Sequence, residues 1–352
     1  MALIFSANPV QMPNNSAASK AMLKPIHIGP LTIDQPVLLA PMSGVTDLPF
    51  RTQVRKFGCG LVYSEMIASG QMVRAHTETL RMSSNCADEG EMAVQLAGCD
   101  PAVMAEAAKM NEARGAALID INMGCPAKKV VGGMAGSALM RDEDNALRII
   151  EAVVRAVAIP VTLKMRMGWD HDNLNAPSIA RKAEAAGIQL ITVHGRTRQQ
   201  LYTGQADWAF IANVKQSVRI PVIANGDVVS VDDAATILRV SGADGVMIGR
   251  GAFGRPWFPG QVQEFLATGR RLDDPSAAEK SEIVQAHYDA LLSHYGEYKG
   301  MRIARKHLAW YVAGTRNANA FRVQVNTEEN PTRVKQFIAD IFAEPAEMKA
   351  AA

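Results

Sequence analysis

Eight short apolar runs, segments of helical period between them, and a C-terminal stretch of helical period alone predict an α/β protein. The expected architecture is a closed (β/α)8 TIM barrel followed by a smaller all-α helical domain. No run alternates apolar with polar residues as a half-exposed strand does, so each reads as a parallel strand covered by helices. An open doubly wound sheet is the alternative, and eight successive units favour closure over it.

In chain order the strand runs are PVLLAPMSG (36–44), GLVYSEMI (60–67), MAVQLAG (92–98), LIDINMGCP (118–126), PVTLKMRMGW (160–169), QLITVHGRTR (189–198), PVIANGDV (221–228) and GVMIGRGAFGRP (245–256). The segment 100–115 opens with Asp100 as a cap and Pro101 in the first turn, which suits a helix start. The segment 142–157 carries acids at its beginning, where the helix dipole favours them. Ser230 and Asp233 stand at capping-box spacing ahead of another helix.

After Pro256 the strand signal ends. Ser276 and Glu279 form a second capping box, followed by apolar residues at helical spacing from Ile283 to Tyr295. Met301, Ala304, Leu308, Tyr311 and Val312 share one helical face, and Asn330 with Pro331 marks a further helix start. The expected organisation is a flexible tail at 1–24, a barrel at 25–266, a helical domain at 267–345 and a second tail at 346–352. The ordered pattern begins just after Met22, which stands as an alternative start.

Composition removes several classes of function. A chain of 352 residues, 48% hydrophobic, can bury one large core and a smaller second one. Its formal net charge of +2 is not that of a broadly basic protein, but it leaves room for a local basic patch. Cys59, Cys86, Cys99 and Cys125 lie far apart with no CxxC pair, which argues against structural zinc, an iron–sulfur cluster or a disulfide framework. No metal is expected, and a reducing cytoplasm is the expected location. No apolar run approaches the roughly 18 residues of a membrane span, and the first residues lack the shape of a secretory signal.

In this fold the strand ends converge on one mouth. There the sequence places Pro41, Met42 and Ser43; Glu65; Gln95; Asn122 and Cys125; Lys164 and Arg166; His194 and Arg196; Asn225, Gly226 and Asp227; and Gly249 with Arg250. Glycines after the seventh and eighth strands, beside Arg250, point to a phosphate-bearing ligand, because glycine lets backbone N–H groups approach an anion. Ordinary tight turns are the simpler explanation for either glycine taken alone. Lys164 suits an electron-rich ring that gains negative charge, such as a reduced flavin, with Gln95 at the ring edge. His194 serves equally well as a cofactor contact or a structural group. Cys125 has three readings: packing, nucleophile or acid. Gly124 and Pro126 favour a set turn over packing, and no His–Asp pair is placed to activate a thiolate. An ordinary thiol, with a pKa of about 8.5, is mostly protonated at neutral pH. The acid is therefore preferred.

The motifs LLAPMSGVTDLPFR, VQLAG, DINMGCPAKKV, VTLKMRMGW, TVHGRTRQQLYTGQADW, IANGDV and MIGRGAFGRPW resemble those of the bacterial tRNA-dihydrouridine synthases, and GCPAKKV is most similar to the DusB branch. The resemblance runs from Pro25 to Phe342. It implies an FMN barrel and a helical domain that together hold tRNA, with NADPH (or NADH) as hydride donor. By motif, Pro41, Met42 and Ser43 would lie under the flavin, and Gln95 and Lys164 at its polar edge. Asn225, Gly226, Asp227, Gly249 and Arg250 would hold its phosphate. Cys125 would be the proton donor, and Asn122 would touch the uracil.

Candidate RNA grips are Lys128 and Lys129, Arg196 and Arg198, and the helical-domain residues Lys299, Arg302, Arg305, Lys306, Arg316, Arg322, Arg333 and Lys335. Each taken alone reads more simply as part of a solvated helix face. Two other functions stay open: an FMN enzyme acting on a free pyrimidine, resembling dihydroorotate dehydrogenase, and a tRNA-binding protein without catalysis. The target uridine and the choice between NADPH and NADH stay undetermined. A monomer without an obligate protein partner is expected.

Overall fold

A computed structural model describes residues 22–83 and 91–343. Most of the expected N-terminal tail, the expected tail at 346–352 and Cys86 lie outside those residues.

Eight parallel strands close a barrel: Val37–Leu39, Leu61–Tyr63, Met92–Ala97, Leu118–Met123, Val161–Arg166, Ile191–His194, Val222–Asn225 and Gly245–Ile248. Closure is visible in the register, where Val246 of the last strand pairs with Val37 of the first. Each strand falls within one of the expected runs, and almost every strand residue is buried, as sheets covered on both faces require. The short strand Ile67–Ala68 extends the upper edge beside Leu96 and Ala97.

One element is not foreseen in the sequence. Ile26–Ile28 and Leu31–Ile33 form an antiparallel hairpin with Ile26 opposite Ile33. Its four inward residues, Ile26, Ile28, Leu31 and Ile33, pack with Leu38, Leu61, Leu118 and Ile223 inside the barrel. The hairpin turn lies against Pro160 and Gln189, which precede the fifth and sixth strands. The hairpin therefore closes the amino-terminal end and leaves the opposite mouth open.

The caps read from the sequence are present. Asp100 accepts from the Val103 N–H at 2.9 Å, and Asp142 from the Asn145 N–H at 3.0 Å. Ser230 with Asp233 and Ser276 with Glu279 form complete capping boxes. Such caps satisfy N–H groups that a helix start leaves unpaired.

Past the barrel, helices Ala277–Tyr295, Glu297–Tyr311, Ala318–Thr327 and Pro331–Ala343 enclose a second core around Tyr288, Leu291, Leu308, Phe321 and Ile338. This bundle docks on the barrel through aromatic residues. Phe253 stacks on Trp310 with ring centres 4.1 Å apart, and Phe50 meets His287 and His307 at 5.7 and 5.6 Å. The Tyr295 hydroxyl donates to Asp47 at 3.1 Å. The Lys306 ammonium sits beside Gly44, in the field of Asp47 and Glu65.

Candidate active site at the mouth of the barrel

The carboxyl ends of the strands surround a cavity of about 990 Å³. That is the upper end of the range for small-ligand sites, roughly 300–1,000 Å³. Pro41, Met42, Ser43, Gln95, Asn122, Cys125, Lys164, His194, Asn225, Gly226, Asp227, Gly249 and Arg250 all line it. Sequence reasoning assembles these residues from strand ends alone, and the barrel brings them together.

The first strand delivers Pro41, Met42 and Ser43 on a loop that bonds to itself. The Met42 N–H donates to Thr46 Oγ1 at 3.0 Å, and the Met42 carbonyl accepts from Val45 and Thr46. Glu65 accepts from the Gly44 N–H, and burial raises its carboxyl pKa despite that bond.

Four residues from the third, fourth and fifth strands form a polar chain. Asp120 is fully buried and accepts from Gln95 Nε2 and Thr162 Oγ1, each at 2.7 Å. Gln95 Oε1 accepts from Asn122 Nδ2 at 2.7 Å. Asn122 Oδ1 then accepts from the N–H groups of Gly124 and Cys125 at 3.1 and 2.9 Å. Burial pushes Asp120 up to about 6, against the hydrogen bonds from Gln95 and Thr162. The far side of the cysteine turn is clamped as well, since the Cys125 carbonyl accepts from the Ser137 N–H and hydroxyl at 3.1 and 2.9 Å. Gly136, at φ +60°, passes so close that a Cβ would lie 2.8 Å from the Cys125 carbonyl oxygen.

Lys164 donates to Asn225 Oδ1 at 3.1 Å, and Asn225 donates to the Met247 carbonyl at 2.8 Å. Desolvation, then the neighbouring Arg166, lowers the Lys164 pKa to about 8. His194 is held well below the ordinary range, first by burial and then by the cations Lys164, Arg166, Arg196 and Arg250. It is a neutral imidazole at pH 7.

Arg196 is placed otherwise than the sequence suggests. The expectation is a substrate contact, yet its side chain is 2% exposed and does not line the cavity. Its guanidinium donates to both Asp227 oxygens at 2.8 and 2.5 Å and to the carbonyls of Thr203 and Gly204. Arg250, half exposed, reaches Asp227 at 3.1 Å. Burial alone would raise Asp227, but the bonds from Arg196 and the Ala206 N–H outweigh it and hold the carboxyl below its usual range.

Several expected RNA contacts are engaged inside the protein. Lys299 pairs with Glu78 at 2.9 Å and Lys335 with Asp289 at 2.8 Å. Arg333 pairs with Glu328 at 3.3 Å, and Arg322 donates to the Ala309 carbonyl at 3.2 Å. Lys306 is half-buried. Arg198 lies over Trp169 at 4.7 Å. Lys128 and Lys129 are exposed beside the mouth, and Lys128 lines it.

Two polar lining residues, Arg166 and Tyr202, make contacts that the sequence does not assign. Arg166 is buried and donates to the carbonyls of Gly124, Thr197 and Leu201, which joins the cysteine turn to the loop after the sixth strand. Tyr202, half exposed at the rim, lies 4.9 Å from the Arg250 guanidinium and 5.5 Å from that of Arg166. The first ends a strand run, but nothing local says which carbonyls it meets. The second lies in the loop after the sixth strand, inside the motif TVHGRTRQQLYTGQADW, where no periodicity marks it as a lining residue.

The residues present fit FMN. At Gly249 a Cβ would project to 3.7 Å from Met42 Sδ and Ala40 Cβ, so the glycine keeps the wall open beside the apolar loop. Gly226, at φ +125°, lies too close to Ala206 and His194 for a side chain. Lys164 and Arg250 supply cations, and the second hydrogen of the Gln95 amide remains for a polar ring edge.

The family model described as Dihydrouridine synthase (Dus) matches residues 38–346. The probable tRNA-dihydrouridine synthase of Rickettsia conorii is 54% identical over 318 residues, covering 90% of this chain and 96% of that one. The tRNA-dihydrouridine synthase B of Pseudomonas aeruginosa is 48% identical over 320 residues, with 90% and 96% covered. Among solved structures, 2-naphthoyl-CoA reductase with 2-naphthoyl-CoA superposes with a TM-score of 0.56 at 14% identity, covering 70% of this chain and 53% of that one. A morphinone reductase mutant in complex with tetrahydroNAD gives 0.52 at 13% identity, covering 74% and 94%. Those two likenesses concern the fold. The family model's span and the near-complete coverage of the relatives carry further: the chain belongs to the dihydrouridine synthase family.

Proposed function

We propose that this chain reduces uridine in tRNA to 5,6-dihydrouridine, with FMN as its resident cofactor, NADPH (or NADH) as reductant and Cys125 as the acid. The observation that carries the proposal is that a clamped cysteine turn, a lysine ammonium and a glycine–arginine cradle open onto one cavity. When bound and reduced by the nicotinamide, FMN would supply the hydride that adds to C6 of the uracil ring.

The protein's own residues do the rest. Pro41, Met42 and Ser43 form an apolar seat, while Gln95, Lys164 and His194 supply the polar ring contacts. Gly226, Gly249 and Arg250 receive the phosphate, with Asn225 and Asp227 shaping that cradle. Cys125 holds the proton destined for C5. Asn122 holds the cysteine turn through Oδ1 and offers its remaining Nδ2 hydrogen to a uracil carbonyl. The uracil must leave its stack in the folded RNA, at a cost of a few kcal/mol. The tRNA is gripped by shape and phosphate contacts, with the helical domain beside the mouth, Lys128, Lys129 and Arg302 as candidates. The protein acts as a monomer in the cytoplasm.

The test is incubation with NADPH and tRNA lacking dihydrouridine, with the product mapped by mass spectrometry. Wild type is expected to form dihydrouridine at a defined position, and Cys125→Ala to be slower by about 10²–10⁴-fold, as for loss of a general acid. Reduction of free uracil or uridine with no change in tRNA would replace this reading with that of a free-pyrimidine reductase. Tight tRNA binding without any reduction would leave a binding protein.

A further inference from the structure

A carboxyl group buried at 0% exposure inside an apolar barrel calls for a reason, since buried charge is costly unless it is used. Asp120 does not line the cavity, and the proposed reaction gives it no task. Its contacts nevertheless lead to Cys125. An ionised carboxylate only accepts hydrogen bonds, so Gln95 must turn its NH2 toward Asp120 and its oxygen away. That oxygen takes a hydrogen from Asn122, which leaves Asn122 Oδ1 to face the N–H groups of Gly124 and Cys125. The two backbone N–H groups favour this arrangement from the turn, and the carboxylate at the other end of the chain excludes the reverse.

We infer that Asp120 is a positioning residue for Cys125: it sets the orientation of the Gln95 and Asn122 side chains, and thereby the acceptor that holds the cysteine turn. The inference rests on the proposed role of Cys125 for its catalytic meaning, but its geometry stands independently.

Asp120→Asn lets the chain reverse. The amide introduced there can donate to Gln95 Oε1, Gln95 can donate to Asn122, and Asn122 presents NH2 to two N–H donors, which releases the turn. The double variant Asp120→Asn with Asn122→Asp moves the obligate acceptor to position 122, where a carboxylate accepts from Gln95 on one side and from the turn on the other. Thr162→Val removes the second hydrogen bond to Asp120 and, studied at pH 8 so that the carboxyl stays ionised, leaves the contacts of Gln95 and Asn122 in place.

The experiment is amide hydrogen exchange at Gly124 and Cys125, read by mass spectrometry on the FMN-loaded protein. Asp120→Asn is expected to accelerate exchange there at least tenfold, the double variant to return it to within threefold of wild type, and Thr162→Val to leave it unchanged. Unchanged exchange in Asp120→Asn, or equally fast exchange in the double variant, overturns the inference. If Asp120→Asn does not fold, Gln95→Met severs the chain at its middle, and the same tenfold acceleration or its absence decides. Dihydrouridine formation by wild type, measured separately, distinguishes failure of this inference from failure of the proposed function.

Discussion

Arg196 and Arg250 both bind Asp227, and their surroundings predict different losses. Arg196 is buried and bidentate, so Arg196→Met strands a partly buried carboxylate and two carbonyls. Breaking a buried pair typically costs about 3–5 kcal/mol, and the partial exposure of Asp227 puts this one at the lower end. Arg250 is half exposed, and its bond is of the surface kind, worth under about 1 kcal/mol. Thermal melting should therefore fall clearly for Arg196→Met and hardly at all for Arg250→Met, while titration with FMN shows weakened binding in both. Equal melting temperatures would contradict the buried-pair account. The residue type and position of Arg196 were legible in the sequence, but its task was not. A basic residue two places beyond a strand end can face the mouth or fold back under it. The choice depends on the carbonyls of Thr203 and Gly204, which only the folded loop brings near. Cys125 was easier, because its neighbours Asn122, Gly124 and Pro126 are close in the chain and dictate a turn locally.

At the scale of elements, local signals were sufficient for the eight strands and the helix caps, since burial on both faces and the capping box are written within a few residues. The hairpin Ile26–Ile28 and Leu31–Ile33 escaped because three-residue strands carry almost no pattern and gain their stability from the barrel end they cover. Two glycines show how far local reading extends. Gly242 and Gly254 have nearly the same φ, +64° and +65°. A Cβ at Gly242 meets nothing within 4 Å, whereas one at Gly254 would lie 2.4 Å from the backbone carbonyl of Trp310. Gly242→Ala should cost only the left-handed penalty, about 1–2 kcal/mol. Gly254→Ala adds a clash with a helix backbone that cannot move alone. Urea unfolding should separate the two, and the Gly254 variant should also become sensitive to proteolysis between 267 and 276. Equal stability would mean that the helix adjusts freely.

For the whole molecule, the contact between barrel and helical bundle was the least legible feature, because it joins residues far apart in the chain. His287 and His307 are both 1% exposed there, and among the described residues neither nitrogen of His307 has a hydrogen-bond partner. Burial lowers His287 to about 3 and His307 well below its ordinary range, with Lys306 acting in the same direction. Below the unfolded value of about 6.5 the unfolded chain binds protons that the folded one refuses, so stability falls with acid by roughly 1.4 kcal/mol per histidine per pH unit. Asp47 opposes this. Desolvation raises its folded pKa to about 6, so between pH 6 and about 3.8 the folded state binds the extra proton and gains stability as pH falls. Asp47→Asn removes that compensation while leaving an oxygen to cap Phe50. Its stability should decline more steeply than that of wild type from pH 6 to 4. Urea melts at pH 7, 5.5 and 4.5 measure the slopes, and parallel slopes would count against the assignment.

Lys306 has a consequence for anyone building chimeras within this family. Its ammonium belongs to the bundle by sequence but lies in the field of Asp47 and Glu65 beside the loop that carries Met42 and Ser43, and Tyr295 bonds to Asp47 across the same contact. A graft of residues 276–343 from a relative with another specificity transfers half of an electrostatic joint. Residues 41–47 and Glu65 must be transplanted with it, or the hybrid's two carboxyls keep Arg51 but lose the second cation beside them.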